Sequence, residues 1–205
     1  MVEVGTRRTR EDILSAARTE FALRGYAGGR TPEIAERAGV TERTVFRHFP
    51  TKADLFASAA VGPFHSYIAE FMADWRERKP GVRSAWDETR DFYAGLFDVL
   101  EAHRGLFVAL VASRSFEDRK GAPPDGLGTT MSDILDRATE SMVAESASRG
   151  FRGSPAVNVR FMFGLAVTVC VHGDWLFAAE RPSRDAMLDE ITGFTLSGLG
   201  DRSRS

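Results

Sequence analysis

The chain holds four histidines, one cysteine and 29 acidic residues, and none is spaced for nucleophilic, metal-ligating or phosphate-loop chemistry. Cys170 lies between Val169 and Val171, the setting of a small buried hydrophobe rather than of a reactive thiolate. A single cysteine allows no internal disulfide, which suits a reducing compartment. The expectation is therefore no enzyme, no metal and no cofactor. The residues that can do chemistry cluster elsewhere, as Thr41, Arg43, Thr44, Arg47, His48 and Lys52, with Thr31 upstream. Theirs is the chemistry of charge and hydrogen bonding. Guanidinium groups donate in pairs to planar acceptors, hydroxyls donate or accept, and an ammonium meets anions.

Two short helices must position them. Thr31-Pro32 reads as a helix start, with threonine as cap and proline in the first turn. Gly39 supplies a left-handed stop near Ala38, Thr41 caps a second helix, and Pro50 ends it after Phe49. Ile34, Ala35, Ala38, Val40, Val45 and Phe49 can form a small shared core, which leaves Glu42, Arg43, Thr44, Arg47 and His48 on or near the outer side of the second helix. This is a helix-turn-helix over 31–49. Its second helix fits a major groove, where base edges carry a unique donor and acceptor pattern.

The stretch 9–56 resembles the DNA-binding head of the tetracycline-repressor (TetR) family. The matching segments are Ile13-Leu14-Ser15-Ala16-Ala17, Phe21-Ala22-Leu23-Arg24-Gly25-Tyr26, Thr31-Pro32-Glu33-Ile34-Ala35, Ala38-Gly39-Val40-Thr41, Val45-Phe46-Arg47-His48-Phe49 and Lys52-Ala53-Asp54-Leu55-Phe56. The resemblance implies phosphate contacts from Thr31 and Thr41, base-edge contacts from Arg43 and Thr44, base or phosphate contacts from Arg47 or His48, and a phosphate held by Lys52 together with the N-terminus of its helix. It also exposes a departure. Position 46 is Phe, where the family usually has a tyrosine whose hydroxyl bonds a phosphate, so Phe46 is left with sugar or a thymine methyl to pack against. The family further implies a ligand-sensing helical body, a homodimer through the last two helices, and a repressor released from a palindromic operator by a small effector. An activator, or a regulator that needs no ligand, fits the same residues.

The elements read as all-α: a three-helix head over 7–56 and a larger helical sensing and dimerisation body over 57–200. The first helix is expected from Thr9, with Thr9 to Asp12 as an approximate capping box, to a glycine stop at Gly25. Thr51 caps a fourth helix, which Gly62-Pro63 can kink. Further helices are expected over 84–102, 106–116, 130–148, 154–179 and 183–199, with loops at Pro80-Gly81 and 121–126. In the penultimate helix, Phe161, Leu165, Val169 and His172 form one face and Phe163, Val167, Val171 and Trp175 the next, so burial on several sides is expected. The small residues Gly193, Ser197 and Gly198 of the last helix allow close approach. Pocket candidates are Phe64, Tyr67, Phe71, Trp86, Phe92, Tyr93, Leu96, Phe107, Phe116, Phe163 and Trp175, and their aromatic character suggests a hydrophobic ligand.

Charge separates the same two regions. Residues 1–52 hold ten basic and seven acidic residues, whereas the remainder holds 17 basic and 22 acidic, so a net +3 head precedes a body of −5. Only the head is expected to meet phosphate. The start of the chain lacks a signal-peptide pattern, and the run Phe161–Val171 is about half the length of a membrane span. A cytoplasmic protein with no membrane partner is expected.

Overall fold

The computed structural model describes residues 2–77, 83–114, 126–151 and 153–200. Among them every regular element is helical, as expected. The helices are α1 (Val2–Gly28), α2 (Thr31–Arg37), α3 (Glu42–His48), α4 (Lys52–Glu77), α5 (Ala85–Ala102), α6 (Arg104–Arg114), α7 (Gly126–Arg149), α8 (Pro155–Phe177) and α9 (Arg184–Leu199), with a short 3-10 turn at Ala178–Glu180. They form two compact units. One comprises residues up to Pro63 together with 103–130, and the other comprises 64–102 together with 131–205.

In the first unit α1 packs on α2 and on α6, a helix the sequence assigned to the body. Its core is Ile13, Leu14, Ala17, Phe21, Ile34, Val45, Phe49, Leu55, Phe56 and, from α6, Leu106, Phe107 and Leu110. Phe56 is its aromatic hub, with the Phe21 ring edge-on at 4.9 Å and the Tyr26 ring at 5.1 Å. Burial pushes the Tyr26 hydroxyl pKa up. The buried Glu20 carboxylate does not stand alone: Arg24 Nε lies 3.0 Å from its Oε1, which also accepts from the Arg30 backbone N–H at 3.4 Å.

Two starts differ from expectation. α1 begins at Val2, so Thr9 lies inside the helix rather than at its start. Gly25 still breaks the helical path, at φ 68° and ψ 179°, a conformation a Cβ would oppose. At α2 the capping position is Arg30, not Thr31, and no side chain caps it. By contrast Thr51 does cap α4. Its hydroxyl oxygen accepts from the Asp54 N–H at 3.0 Å, and an Asp54 oxygen accepts from the Thr51 N–H at 3.0 Å. α4 continues through Pro63 to Glu77.

In the second unit α5 packs against α8 and α9. Tyr93, Leu96, Phe97 and Leu100 of α5 are buried with Ala166 and Cys170 of α8 and with Met187, Leu188 and Ile191 of α9. A buried hydrogen bond of 2.7 Å joins the Tyr93 hydroxyl to Thr195 Oγ1, and burial pushes the Tyr93 pKa up to about 12. Arg90 of α5 adds ion pairs to Asp185 at 3.1 Å and Asp189 at 2.7 Å on α9. The Ser183 hydroxyl caps α9 by accepting from the Ala186 N–H at 3.2 Å. By length and composition α8 could cross a membrane, beyond what the shorter apolar run suggested. One such helix is weak evidence, because core helices meet the same test, and α8 buries Val159, Met162, Ala166, Cys170 and Val171 within its own unit.

Candidate functional site

The turn between α2 and α3 fixes the direction of α3. Gly39 sits at φ 67°, and the Val40 N–H donates to the Ala35 carbonyl at 3.0 Å, which closes the end of α2. Thr41 then caps α3: its Oγ1 accepts from the Thr44 N–H at 3.2 Å and lies 3.0 Å from Thr44 Oγ1. Val45 points into the core and Phe49 follows it there. With those two residues inside, helical spacing turns Arg43, Phe46 and Arg47 to solvent, where all three are exposed. Thr44 and His48 are half-buried.

Charge at this surface is divided unevenly. Among the described residues, neither Arg43 nor Arg47 takes part in an ion pair. Glu42 is occupied, because the Thr31 hydroxyl donates to its Oε1 at 2.5 Å. Thr31 thus braces α2 against the start of α3. Phe46 presents an exposed ring between the two arginines. His48 directs Nε2 into a buried position without a hydrogen-bond partner, so it does not offer that atom to solvent. Lys52 lies 5.0 Å above the Tyr26 ring and donates to the Ala27 carbonyl at 3.4 Å, and burial lowers its pKa. Sequence reasoning missed Arg10, whose guanidinium carbon lies 5.0 Å from the Phe49 ring centroid. Its only sequence signal is that it sits one turn before the apolar Ile13 and Leu14. Two fork-shaped donors and one aromatic ring on a helix of major-groove size can contact base edges and phosphates.

The second unit contains an apolar cavity of about 90 Å³. Phe71, Met72 and Trp75 of α4 line it with Ala85, Glu88, Thr89 and Phe92 of α5, Ala138 and Met142 of α7, Phe151, Val159 and Met162 of α8, and Leu199 of α9. Of the sequence candidates, Phe71 and Phe92 line it, edge to face at 5.2 Å. Phe64, Tyr93 and Leu96 are buried in packing, and Phe163 meets Phe64 edge-on at 6.0 Å. Tyr67 donates to the Phe92 carbonyl at 2.6 Å, and burial pushes its pKa up. Phe107 belongs to the other unit, while Trp86 and Trp175 are exposed, Trp175 to 81%. Phe116 lies outside the described residues. The methionines went unread because unbranched side chains fill irregular gaps without marking a pattern. The i, i+4 pairs Phe71/Trp75 and Glu88/Phe92 were the available signal.

α8 also carries an unpartnered face. Val157, Phe161, Gly164, Thr168, His172 and Trp175 recur at helical spacing and are all exposed. This stripe crosses the two faces read from sequence, since Val171 is buried while Phe161 and Trp175 are not. On α9, Phe194 is 69% exposed and lies beside the exposed Ser197 and Gly198. Among the described residues, no group of three or more His, Cys, Asp or Glu is placed to hold a metal ion.

A braced two-helix reader within a helical first unit, and a separate helical second unit, define a helix-turn-helix protein. Residues 13–59 match the family model of bacterial regulatory proteins of the tetR family. An uncharacterized HTH-type transcriptional regulator of Mycobacterium tuberculosis is 32% identical over 129 residues, 60% of this chain and 62% of the relative. The HTH-type transcriptional regulator LmrA of Bacillus subtilis is 36% identical over 107 residues, 52% of this chain and 57% of the relative. The chain thus spans less than two thirds of these curated relatives. Among solved structures, one assigned to the TetR family from Rhodococcus sp. superposes with a TM-score of 0.73 at 22% identity, covering 95% of this chain and 100% of that one. The transcriptional regulator FadR of Bacillus subtilis, solved in complex with stearoyl-CoA, gives 0.67 at 18% identity, covering 93% and 99%. At such identity these likenesses establish the fold.

Proposed function

We propose that the chain is a cytoplasmic, dimeric, sequence-specific DNA-binding transcriptional regulator: a repressor released from a palindromic operator by a small apolar effector. The observation that carries this reading is the exposed pair Arg43 and Arg47 on α3, free of ion pairs among the described residues and set by a capped turn. Arg43 and Thr44 read base edges, Phe46 packs against sugar or a thymine methyl, and Arg47 meets base or phosphate. Thr41 and Lys52 contact phosphate. Lys52 reaches a phosphate by leaving the Tyr26 ring face and the Ala27 carbonyl.

The exposed stripe on α8, with Phe194 on α9, supports a homodimer through these two helices, because monomers rarely leave so large an apolar face in water. The cavity supports an effector site. Its lining is apolar apart from Glu88 and Thr89, and three methionines let it adapt. As shaped it falls below the roughly 300–1,000 Å³ of ordinary small-molecule sites, so a small apolar ligand fits first. α4 carries Lys52 at one end and Phe71, Met72 and Trp75 at the other, so one helix serves phosphate and effector. The effector releases DNA only to the extent that it binds the DNA-free state more tightly.

The test is selection of bound duplexes from a random pool with purified protein at about 150 mM salt, where non-specific phosphate binding is weakened. Enrichment of a palindrome is the expected result. A folded, dimeric protein that enriches no sequence contradicts the reading.

A further inference from the structure

Among the described residues, the cavity of the second unit carries one charged group in its lining, the Glu88 carboxylate, and no lysine, arginine or histidine. Glu88 and Thr89 stand one turn before Phe92 on the same face of α5, and both are half-buried. Phe71 and Trp75 of α4, Phe92 and Phe151 add four aromatic rings. Two of these are braced from behind. Tyr67 packs on Phe71 at 6.0 Å and on Phe92 at 6.1 Å, and its hydroxyl donates to the Phe92 carbonyl at 2.6 Å. Gly95 makes room for Tyr67, whose ring occupies the place a Cβ would take. Just ahead of α5, the Arg83 guanidinium hydrogen-bonds to Asp91 and also feels the charges of Asp87 and Glu88, so three carboxylates share one cation there.

Three classes of ligand meet this lining differently. An anion brings a second negative charge to Glu88 in a setting of low polarity, where like charges repel most. An uncharged ligand strips water from the carboxylate and returns nothing for it. A cation offsets that loss by pairing with Glu88, and gains further wherever it meets a ring face. The cation must be clad in alkyl groups, since a bare ammonium gives up more hydration than an apolar wall returns.

We infer that this cavity takes a compact alkylated organic cation, a tertiary or quaternary ammonium, with its charge beside Glu88 and its alkyl groups among Phe71, Trp75 and Phe92. The inference rests on the effector-site reading above and narrows the ligand to one charge class. Glu88 selects that class, and the rings supply affinity.

The experiment titrates the full-length protein with phenyltrimethylammonium and with its uncharged isostere tert-butylbenzene, and reads direct binding by ligand-observed NMR. The cation is expected to bind about 10-fold tighter than the isostere. Glu88→Gln keeps the shape of the side chain and removes its charge. It is expected to weaken the cation about 10-fold and to leave the isostere bound as in the parent, or tighter. Trp75→Leu removes a ring and costs the cation about 5-fold more than it costs the isostere. Thermal melts like the parent's show which variants are folded, and either folded variant suffices for the test. An isostere that binds as tightly as the cation overturns the charge class and leaves the effector site standing. So does a folded Glu88→Gln protein that holds the cation as the parent does. If the folded parent binds neither compound, the inference and the effector site it rests on are both overturned.

Discussion

The reader and the cavity are built by opposite means. α3 is a seven-residue helix whose outward face follows from a local syntax: Gly39 in the left-handed region, Thr41 as cap, and Val45 and Phe49 as inward anchors. The cavity draws its wall from five helices and Phe151, residues far apart in sequence. A surface made by short-range rules is rigid and presents fixed donors. A space left where five helices meet is adaptable, all the more when methionines line it. The contrast suits the proposed regulator, which would hold one geometry for DNA and yield to a ligand elsewhere.

Substitutions that distinguish dense packing from local syntax break this comparison most sharply. The largest effect is expected from Phe56→Ala, which removes the hub of the first unit and costs about 3–5 kcal/mol by chemical denaturation. A cost near that of a surface change would show that the head is not the tightly packed region. Next is Tyr93→Phe in the second unit. It strands the buried Thr195 hydroxyl and costs about 1–3 kcal/mol without altering DNA binding. Loss of DNA binding in a folded Tyr93→Phe protein would mean that the two units are less separable than drawn. Gly39→Ala follows, at about 1–2 kcal/mol, all of it backbone strain. A Cβ there meets no atom within 4 Å, so a larger cost would point to a contact the turn does not contain.

The same contrast explains what the sequence revealed. The helix-turn-helix was legible because cap, glycine stop and proline break are statements about neighbouring residues, and Thr41, Thr51 and Ser183 do cap their helices. Thr9 and Thr31 failed as caps for one reason. A good capping residue marks only where a helix is able to start, and here the helical path starts earlier or uses Arg30. The cavity was only half legible. Aromatic residues were visible as candidates, but whether a ring lines a gap, as Phe71 does, or fills the core, as Phe64 does, depends on helices far away in sequence. The α8 stripe was not singled out in the sequence because that helix is apolar around most of its circumference, so no periodicity marks the side left exposed.

The smallest effect concerns pH. His103, between α5 and α6, has its pKa lowered from its ordinary 6.5 by burial and then by the charge of Arg18. The unfolded chain therefore binds this proton more readily than the folded one. Stability from the neutral imidazole is complete above about pH 6.5 and is lost as pH falls through the lowered folded value. Thermal melts of the parent should decline across that acidic window more than those of His103→Gln. Equal declines would remove His103 from the account.

The central claim is that Arg43 of α3 reads bases. It is tested by measuring the affinity of the parent and of Arg43→Ala for the selected palindrome and for a scrambled duplex in the same salt. The account predicts a loss of about 1–3 kcal/mol on the palindrome, with relaxed preference at one base pair and little change on the scrambled duplex. A folded Arg43→Ala protein that binds both duplexes as the parent does would contradict it.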